Sequence, residues 1–374
     1  MERKGRKIKR LFVTGVPVTG NDFAGRKDEL REIRHSLQNG QSVVLIAPRR
    51  FGKTSLILTI LQEFQRAGSY IADVDLFTIV NKKRLAETIV EKTLENKKIV
   101  SIVSRIKKGV SQAFKTIEIR QVIEDYELVL KFAESHIVLD DLLEAALGFP
   151  QKFAEKEKRD LYFFYDEFGD VAKLDGENLI KLMRGKFQRH SNVCYIFAGS
   201  HESLMKELFT KEKSAFYRFA RVVYLEEISF SDFAEYIKKR FKQEGIFMPD
   251  EVVEGILGRT RGHPYYTQLL CGFVHYLVAG KKKRVEPKDI EDGYEDALIS
   301  EKTYLEKLWE ELSVAQLETL FKISSSEILY SNETKINVAR SVKSLLIKGI
   351  IKRIARGKYR IIDPFFEEYL LRNR

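Results

Sequence analysis

The stretch VVLIAPRRFGKTS at residues 43–55 restricts the possible folds of this chain more than any other part of the sequence. Its four leading apolar residues predict a buried strand, and the apolar residues after it recur with helical spacing. A strand, a turn-prone loop ending in Gly-Lys-Thr-Ser and a helix form the context of a phosphate-binding loop. The spacing is GxxxxGK[ST] with Ala47 in place of the first Gly, so the departure concerns the entry turn. The alternative, a Gly-Lys-Thr that occurs by chance, does not explain why both flanking patterns agree.

The residue types of this loop suit the binding of a triphosphate, whose oxygens need many donors at close range. Backbone N–H groups and the N-terminus of the following helix supply such donors. Gly52 lets the backbone approach closely, Lys53 should reach the β- and γ-phosphates, and the Thr54 hydroxyl should ligate Mg²⁺. The implied cofactors are ATP or ADP and Mg²⁺. The predicted nucleotide-binding residues here are Pro48, Arg49, Arg50, Phe51, Gly52, Lys53, Thr54 and Ser55.

A second apolar run, residues 161–165, ends in Asp166-Glu167. Downstream of a phosphate loop, this pattern predicts a buried strand that delivers two carboxylates beside the loop. Asp166 would hold Mg²⁺, largely through water, and Glu167 would orient or polarise the attacking water. The alternative is an acidic helix cap that follows a core strand.

Three further polar residues lie at the ends of predicted strands. Ser200 would either sense a γ-phosphate or serve as the N-cap of the helix that starts near His201. Arg218 and Arg221 precede the strand 222–225, and either would stabilise transition-state charge, in cis or on a neighbouring subunit. A surface ion pair is the alternative for at least one of these arginines.

Composition adds weaker constraints. The length of 374 residues suggests two or three domains, and the apolar content of 44% is ample for packed cores. The formal charge of +11 suits an anionic partner, such as nucleic acid or a membrane surface, or simply a basic soluble surface. The two cysteines, Cys194 and Cys271, lie in apolar surroundings, so we expect buried, reduced thiols in a cytoplasmic protein.

The first 22 residues are interpreted as a basic arm rather than a signal peptide. Basic residues between Arg3 and Arg10 precede a short apolar run that is broken by Gly15 and Pro17, and no small-residue cleavage site follows. Because the chain has no run of about 20 apolar residues, we expect no membrane-spanning segment.

Residues 82–146 are mostly helical in pattern, and the basic stretch 97–115 is interpreted as a solvated helix in preference to a contact surface. The pattern is helical again from Ser229 onward. In residues 302–374 a candidate helix precedes a β-hairpin around Gly357, which predicts a winged helix. Its positive charge suits the phosphates of duplex DNA, although such a domain can instead pack against an ATPase core. The basic residues concerned are Lys335, Arg340, Lys343, Lys348, Lys352, Arg353, Arg356, Lys358 and Arg360.

Together, the ordered motifs resemble the archaeal ATPase family within the AAA+ and STAND class of P-loop proteins, over residues 20–374. Each motif alone, apart from the phosphate loop, is a weak signal. The motifs are FAGR at 23–26, PRRFGKTS at 48–55, DE at 166–167, AGS at 198–200, FYR at 216–218 and GHPYY at 262–266.

The resemblance implies an α/β fold, a P-loop NTPase of AAA+ type with a parallel αβα core, a helical lid and a C-terminal winged helix. It makes Arg218 the better candidate for an arginine finger. It also implies that the FAGR motif lies near the adenine and that the GHP segment contacts the nucleotide from the lid. The binding residues implied in this way are Phe23, Gly25, Arg26, His263 and Pro264.

We therefore expect a basic arm at 1–22, an ATPase core at 23–227 with a helical insertion at about 95–130, a lid at 228–300 and a winged-helix domain at 301–374. The leading hypothesis is a cytoplasmic, Mg²⁺-dependent ATPase that acts as a switch. ATP would draw the lid and the winged helix toward the core, and hydrolysis would release them.

The same residues also allow other hypotheses. In one, the protein binds duplex DNA and ATP controls the access of the basic winged helix to it. Self-association is expected if an arginine acts across subunits. An ADP-holding signalling scaffold would instead turn over hardly at all and act through a protein partner. A small-molecule kinase fits less well, because Asp166-Glu167 suits the activation of water.

Overall fold

A computed structural model of the chain describes residues 11–97, 139–327, 329 and 335–374. The basic residues before Leu11 and nearly all of the predicted insertion at 95–130 lie outside the described residues, and so does most of the basic stretch 97–115.

The chain divides into two compact units, which are described separately. The first unit takes in Met1–Lys27, Pro48–Ser55 and Glu226–Arg374. The second takes in Asp28–Ala47 and Leu56–Leu225. The phosphate loop therefore belongs by its contacts to the unit that contains the C-terminal half of the chain.

The second unit is built on a five-stranded parallel sheet with strand order β2-β3-β4-β1-β5. Side chains of β1 are buried along the whole strand, and those of β3 are buried up to its last residue. Strands covered on both faces are the mark of a parallel sheet with helices around it, so the predicted α/β P-loop fold is confirmed. The strands are β1 (Val43–Ile46), β2 (Tyr70–Asp75), β3 (Leu161–Asp166), β4 (Val193–Gly199) and β5 (Arg221–Tyr224).

Strand β2 ends at Asp75. The Asp75 carboxylate accepts a hydrogen bond from the Phe77 amide at 3.0 Å and caps a short 3-10 turn, so the chain leaves the sheet there. In the sheet register Asp75 is paired with Asp166 of β3. Two carboxylates thus end two neighbouring strands at the same edge.

The helices of this unit cover a core that is rich in stacked aromatic rings. Tyr165 lies against Phe197 with centroids 6.0 Å apart, and Phe187 lies against Tyr195 at 3.9 Å. Helix α2 begins in the phosphate loop and continues into this unit. The helices are α1 (Lys27–Gln38), α2 (Lys53–Arg66), α3 (Lys82–Leu94), α4 (Leu139–Glu157), α5 (Ala172–Phe187) and α6 (Glu202–Thr210).

The first unit is mostly helical and has its own core. The segment that starts at Leu11 packs into this core, since the Arg240 guanidinium donates to the Leu11 carbonyl at 2.8 Å and the Phe12 ring lies 5.2 Å from that of Phe241. None of the described helices combines the length and the apolar character needed to cross a bilayer. The helices are α7 (Phe230–Lys242), α8 (Asp250–Thr260), α9 (Pro264–Val278), α10 (Pro287–Glu310), α11 (Val314–Ser324), α12 (Lys335–Ile347) and α13 (Pro364–Arg372).

An antiparallel hairpin lies between α12 and α13. Its strands are β6 (Ile351–Ala355) and β7 (Lys358–Ile361), and the turn contains Gly357, whose φ is +74°. Two helices followed by a hairpin give the element order of a winged helix.

Both cysteines are free. Cys271 is buried as expected, whereas Cys194 is only half-buried.

Candidate nucleotide-binding site

The phosphate loop combines a backbone turn with open space. Gly52 has φ of +82°, a conformation that favours glycine, and no heavy atom of the described residues outside its immediate neighbours lies within 4 Å of where a Cβ would be. Helix α2 begins at the next residue and has no acidic residue in its first turn. Such a helix start, with free approach to the backbone of Gly52, fits a phosphate group.

Lys53 already points its charge at the loop. Its Nζ donates to the Pro48 carbonyl at 2.9 Å, and the side chain is buried. From this position a small movement of the Lys53 ammonium would replace its hydrogen bond to the Pro48 carbonyl by one to a phosphate oxygen. Thr54 is half-buried, and the Ser55 hydroxyl accepts a hydrogen bond from the Val18 amide at 3.0 Å. Ser55 therefore also ties the N-terminal segment to the loop.

Arg26, which was predicted to lie near the adenine, bridges two backbone carbonyls. Its Nη2 donates to the Phe51 carbonyl at 3.3 Å and to the Glu226 carbonyl at 2.6 Å, and the residue is 4% exposed. Beside it, a Cβ on Gly25 would lie 2.7 Å from the Ile228 side chain, so the backbone is packed closely here. The FAGR segment thus fastens the loop to the chain at 226–228. The first residue of this motif, Phe23, is half-buried at the end of a 3-10 turn.

His263 packs on the loop as an uncharged ring. Its ring lies edge-on to that of Phe51, with centroids 4.7 Å apart, and its side chain caps α9, whose first residue is Pro264. Burial lowers the pKa of His263 to about 3, and the charges of Arg50 and Arg261 act in the same direction, while Glu227 offsets part of this. The imidazole is therefore neutral at physiological pH.

The two loop arginines have different surroundings. Arg49 is exposed, whereas the Arg50 guanidinium is paired with the Glu301 carboxylate at 2.7 Å. Glu301 belongs to α10, where nothing in the sequence suggested a site residue.

In the second unit, Glu167 is held by Ser200. One carboxylate oxygen of Glu167 accepts hydrogen bonds from the Ser200 amide at 2.8 Å and from its hydroxyl at 2.9 Å. His201, not Ser200, is the N-cap residue of α6, so the capping alternative for Ser200 is wrong. The Glu167 backbone is left-handed, with φ of +47°, and its amide donates to the Asp166 carboxylate at 3.0 Å. The sheet thus delivers both carboxylates to one edge in a constrained arrangement.

Negative charge is concentrated at this edge. Burial raises the pKa of Asp75, and the charges of Glu167, Asp170 and Asp73 add to this effect. A divalent cation would relieve such repulsion, and carboxylate oxygens suit Mg²⁺. Within the described parts of the chain, no cluster of three or more metal-ligating side chains could hold a metal alone.

The two candidate finger arginines also differ. Arg221 forms a surface ion pair with Glu32 at 2.8 Å, as the alternative for one of them anticipated. Arg218 is exposed, with its guanidinium 5.2 Å from the ring centroid of Tyr217, and its φ is +55°. Arg221 is thus ion-paired, whereas Arg218 lies at the surface beside the Tyr217 ring.

Comparisons with known proteins agree with this geometry. The model of a family described as an ATPase domain predominantly from Archaea matches residues 23–270. Among curated protein sequences, none matches the chain significantly. A Walker-type ATPase of Pyrococcus abyssi superposes with a TM-score of 0.70 at 18% identity, over 96% of this chain and 99% of that one. The ORC2 protein of Aeropyrum pernix, in its ADPNP–ADP complexes, gives a TM-score of 0.60 at 13% identity, over 98% of each chain.

At these identities the two solved structures establish a common fold, and the match of the family model covers most of the chain. The chain belongs to the family of ATPase domains found predominantly in Archaea.

Proposed function

We propose that this protein binds and hydrolyses ATP with Mg²⁺ and acts as a nucleotide-controlled switch. The observation that carries the proposal is the phosphate loop, with open space beside Gly52, the Lys53 ammonium turned inward and a helix that starts at Lys53. Together they form a set of donors for phosphate oxygens.

Each residue has a defined task in this proposal. Lys53 and the loop amides bind the phosphates, while Thr54 and Asp166 would hold Mg²⁺. The cation, when bound, neutralises part of the phosphate charge. Glu167 orients the attacking water, and the two hydrogen bonds from Ser200 fix its carboxylate. Arg218 stabilises the charge that develops on the transferred phosphoryl group, in cis or across subunits.

A switch also needs a path from the nucleotide to the rest of the chain. The phosphate loop is in contact with three segments of the first unit, through Arg26, His263 and Glu301. A loop that changes with its ligand will therefore disturb the contacts of α9 and α10. This supports a nucleotide-dependent rearrangement of the C-terminal half.

Steady-state hydrolysis tests the proposal. We expect Mg²⁺-dependent turnover by the wild type, loss of turnover on chelation, and a decrease of about a hundredfold in Glu167→Gln, because a positioned base is removed. Glu207→Gln, which changes an exposed carboxylate paired with Lys211, is the control. Turnover that Glu167→Gln leaves unchanged would contradict the assigned role. Negligible turnover by every variant, with ADP already bound after purification, would favour the ADP-holding scaffold that acts through a protein partner.

A second candidate function, association with duplex DNA, is favoured by the surface charge of α12 and the hairpin. Several basic side chains there are exposed, and the exposed Ile347 and Ile354 lie among them. Phosphate contacts made by such side chains would release counterions. The exposed basic residues are Arg340, Lys343, Lys348, Arg353, Arg356 and Lys358.

Two further basic residues of the hairpin are already bound. The Glu227 carboxylate accepts from Lys352 Nζ at 2.6 Å and from Arg360 Nη2 at 2.9 Å. Although burial alone would raise it, the pKa of Glu227 is lowered by the hydrogen bond and the charge of Lys352 and by the charge of Arg360, so the pair of cations faces a firm counter-charge. Glu227 thus competes with DNA phosphates for both side chains.

Glu227→Gln should therefore strengthen DNA binding and its salt dependence. If both freed cations contact phosphates, the slope of log K against log[salt] becomes steeper by about 1.8, at about 0.9 for each phosphate contact. Glu207→Gln, which breaks an exposed ion pair with Lys211 in the second unit, is the control and should leave the slope unchanged. The measurement is equilibrium binding of a fluorescent duplex over a series of salt concentrations. Equal slopes for the wild type and Glu227→Gln would contradict this role of Glu227.

A further inference from the structure

Arg50 of the phosphate loop is fixed at its far end by a residue 251 positions away. Its Nη1 donates to the Oε2 atom of Glu301 at 2.7 Å. The side chain of Arg50 is 31% exposed and that of Glu301 is 9% exposed, so water has little access to the Glu301 carboxylate. The pair joins the loop to the middle of α10.

The surroundings of the pair complete its bonding. The guanidinium lies 4.1 Å from the ring centroid of Tyr265 and 4.7 Å from that of Tyr304, within the range of cation–π attraction. The Tyr265 hydroxyl donates to the other Glu301 oxygen at 2.6 Å. Both carboxylate oxygens of Glu301 thus have a hydrogen-bond donor, and the guanidinium has two aromatic neighbours. We call Arg50, Glu301, Tyr265 and Tyr304 the loop anchor.

The backbone at Arg50 needs such support. Its φ is +65°, which is uncommon for a residue with a side chain. Left-handed residues of this kind persist where their surroundings determine the conformation, and they are frequent at ligand-binding loops. Because the next residues are Phe51 and Gly52, a change of φ at Arg50 redirects the amides that would face the phosphates.

We propose that Arg50 is a positioning residue for nucleotide binding, which acts through Glu301 rather than by contact with phosphates. This deepens the proposed function and rests on it, because it explains how the loop keeps its binding geometry. The Arg50 charge is paired with a buried carboxylate, and its Nη1 donates to Glu301 of α10. Nucleotide affinity therefore depends on a helix that carries no predicted site residue.

The anchor also connects the loop with the last helix of the chain. Tyr266, the neighbour of Tyr265, donates its hydroxyl to Asp363, and Asp363 caps α13 through the Phe365 and Phe366 amides at 2.9 Å. Since coupling between two sites is reciprocal, a nucleotide that stabilises the loop also stabilises the seating of α10 on it.

The test compares Arg50→Ala, Glu301→Ala and the double variant. We expect each single change to raise the Kd for ATP about tenfold or more, because a misplaced loop loses several donors at once. The double variant should be no weaker than the weaker single, since both remove one interaction. Glu295→Ala on the same helix, which breaks an exposed pair with Arg372, is the control and should leave the Kd unchanged.

A second measurement needs no nucleotide. In the apo protein, amide hydrogen exchange of residues 48–55 should become faster in Glu301→Ala and stay unchanged in Glu295→Ala. If Glu301→Ala fails to fold, Glu301→Gln replaces it, because the amide keeps the volume and loses the charge. The Kd should then rise by less than in the alanine variant.

Independent losses in the two single variants, adding up in the double, would overturn the proposal and place Arg50 in direct contact with the nucleotide. Unchanged loop exchange in Glu301→Ala would overturn it as well. A wild type that binds no ATP would refute the proposed function, whereas the exchange measurement would still decide whether the anchor holds the loop.

Discussion

Replacing Lys53 by Ala is expected to raise the Kd for ATP about a thousandfold, which corresponds to about 4 kcal/mol. The physical reason is the loss of a cation from a buried position at the start of α2. Its Nζ lies 2.9 Å from the Pro48 carbonyl and would bond instead to phosphate oxygens. Charge-assisted hydrogen bonds of this kind contribute about 1.5–3 kcal/mol each, and Lys53 would make two.

Lys206→Ala serves as the control for this variant, because Lys206 is a partly exposed lysine paired with Glu202 on α6. It should bind ATP like the wild type. The measurement is equilibrium binding, accompanied by thermal unfolding to show that Lys53→Ala is folded. Tight ATP binding by a folded Lys53→Ala would refute the assignment of the loop as the phosphate site.

The local parts of this architecture could be predicted from the sequence. The four apolar residues of β1, the loop and the helix that follows are adjacent in the chain, so their order and hydrophobic spacing specify them. The carboxylates at 166–167 could be placed for the same reason, because they end a continuous apolar run. These predictions needed no knowledge of which distant residues meet.

The contacts that fasten the loop could not be predicted in this way. Arg50 forms an ion pair with Glu301, which lies 251 residues away in the sequence. Lys352 likewise pairs with Glu227, 125 residues away. A carboxylate in the middle of a charged amphipathic helix looks the same in sequence whether it faces water or an arginine. The helical pattern from Ser229 onward therefore predicts helices in this region but gives no sign of the anchor.

Where two roles of a residue differ only in one contact, the structure is needed to choose between them. A serine at the end of a strand can cap the next helix or bind another group, and here Ser200 binds Glu167. Arg218 and Arg221 are similar in sequence context. Only the structure shows that Arg221 is paired with Glu32, whereas Arg218 lies beside the Tyr217 ring. Asp75 went unnoticed, although the Asp-Val-Asp end of its strand was a usable signal.

Gly262→Ala is expected to destabilise the protein by about 4 kcal/mol, combining about 1 kcal/mol of left-handed backbone strain with about 3 kcal/mol of overpacking. Gly262 has φ of +72°, and a Cβ there would overlap the carbonyl oxygen of Ile228. That overlap is with backbone, which cannot rotate away as a side chain can. The amide of Ile228 also donates to the Gly262 carbonyl at 3.0 Å, so the two segments cannot separate without losing this bond.

Gly280→Ala isolates the steric part of this effect. Gly280 has the same φ of +72°, but no heavy atom of the described residues beyond its chain neighbours lies within 4 Å of its Cβ position. Its substitution should therefore cost about 1 kcal/mol, the backbone strain alone. Denaturant unfolding of both variants measures the difference. If both variants lost the same free energy of unfolding, the segment at 226–228 would have moved aside to accommodate the added methyl group. The close seating of that segment, to which Arg26 and Glu227 owe their positions, would then contribute little to stability.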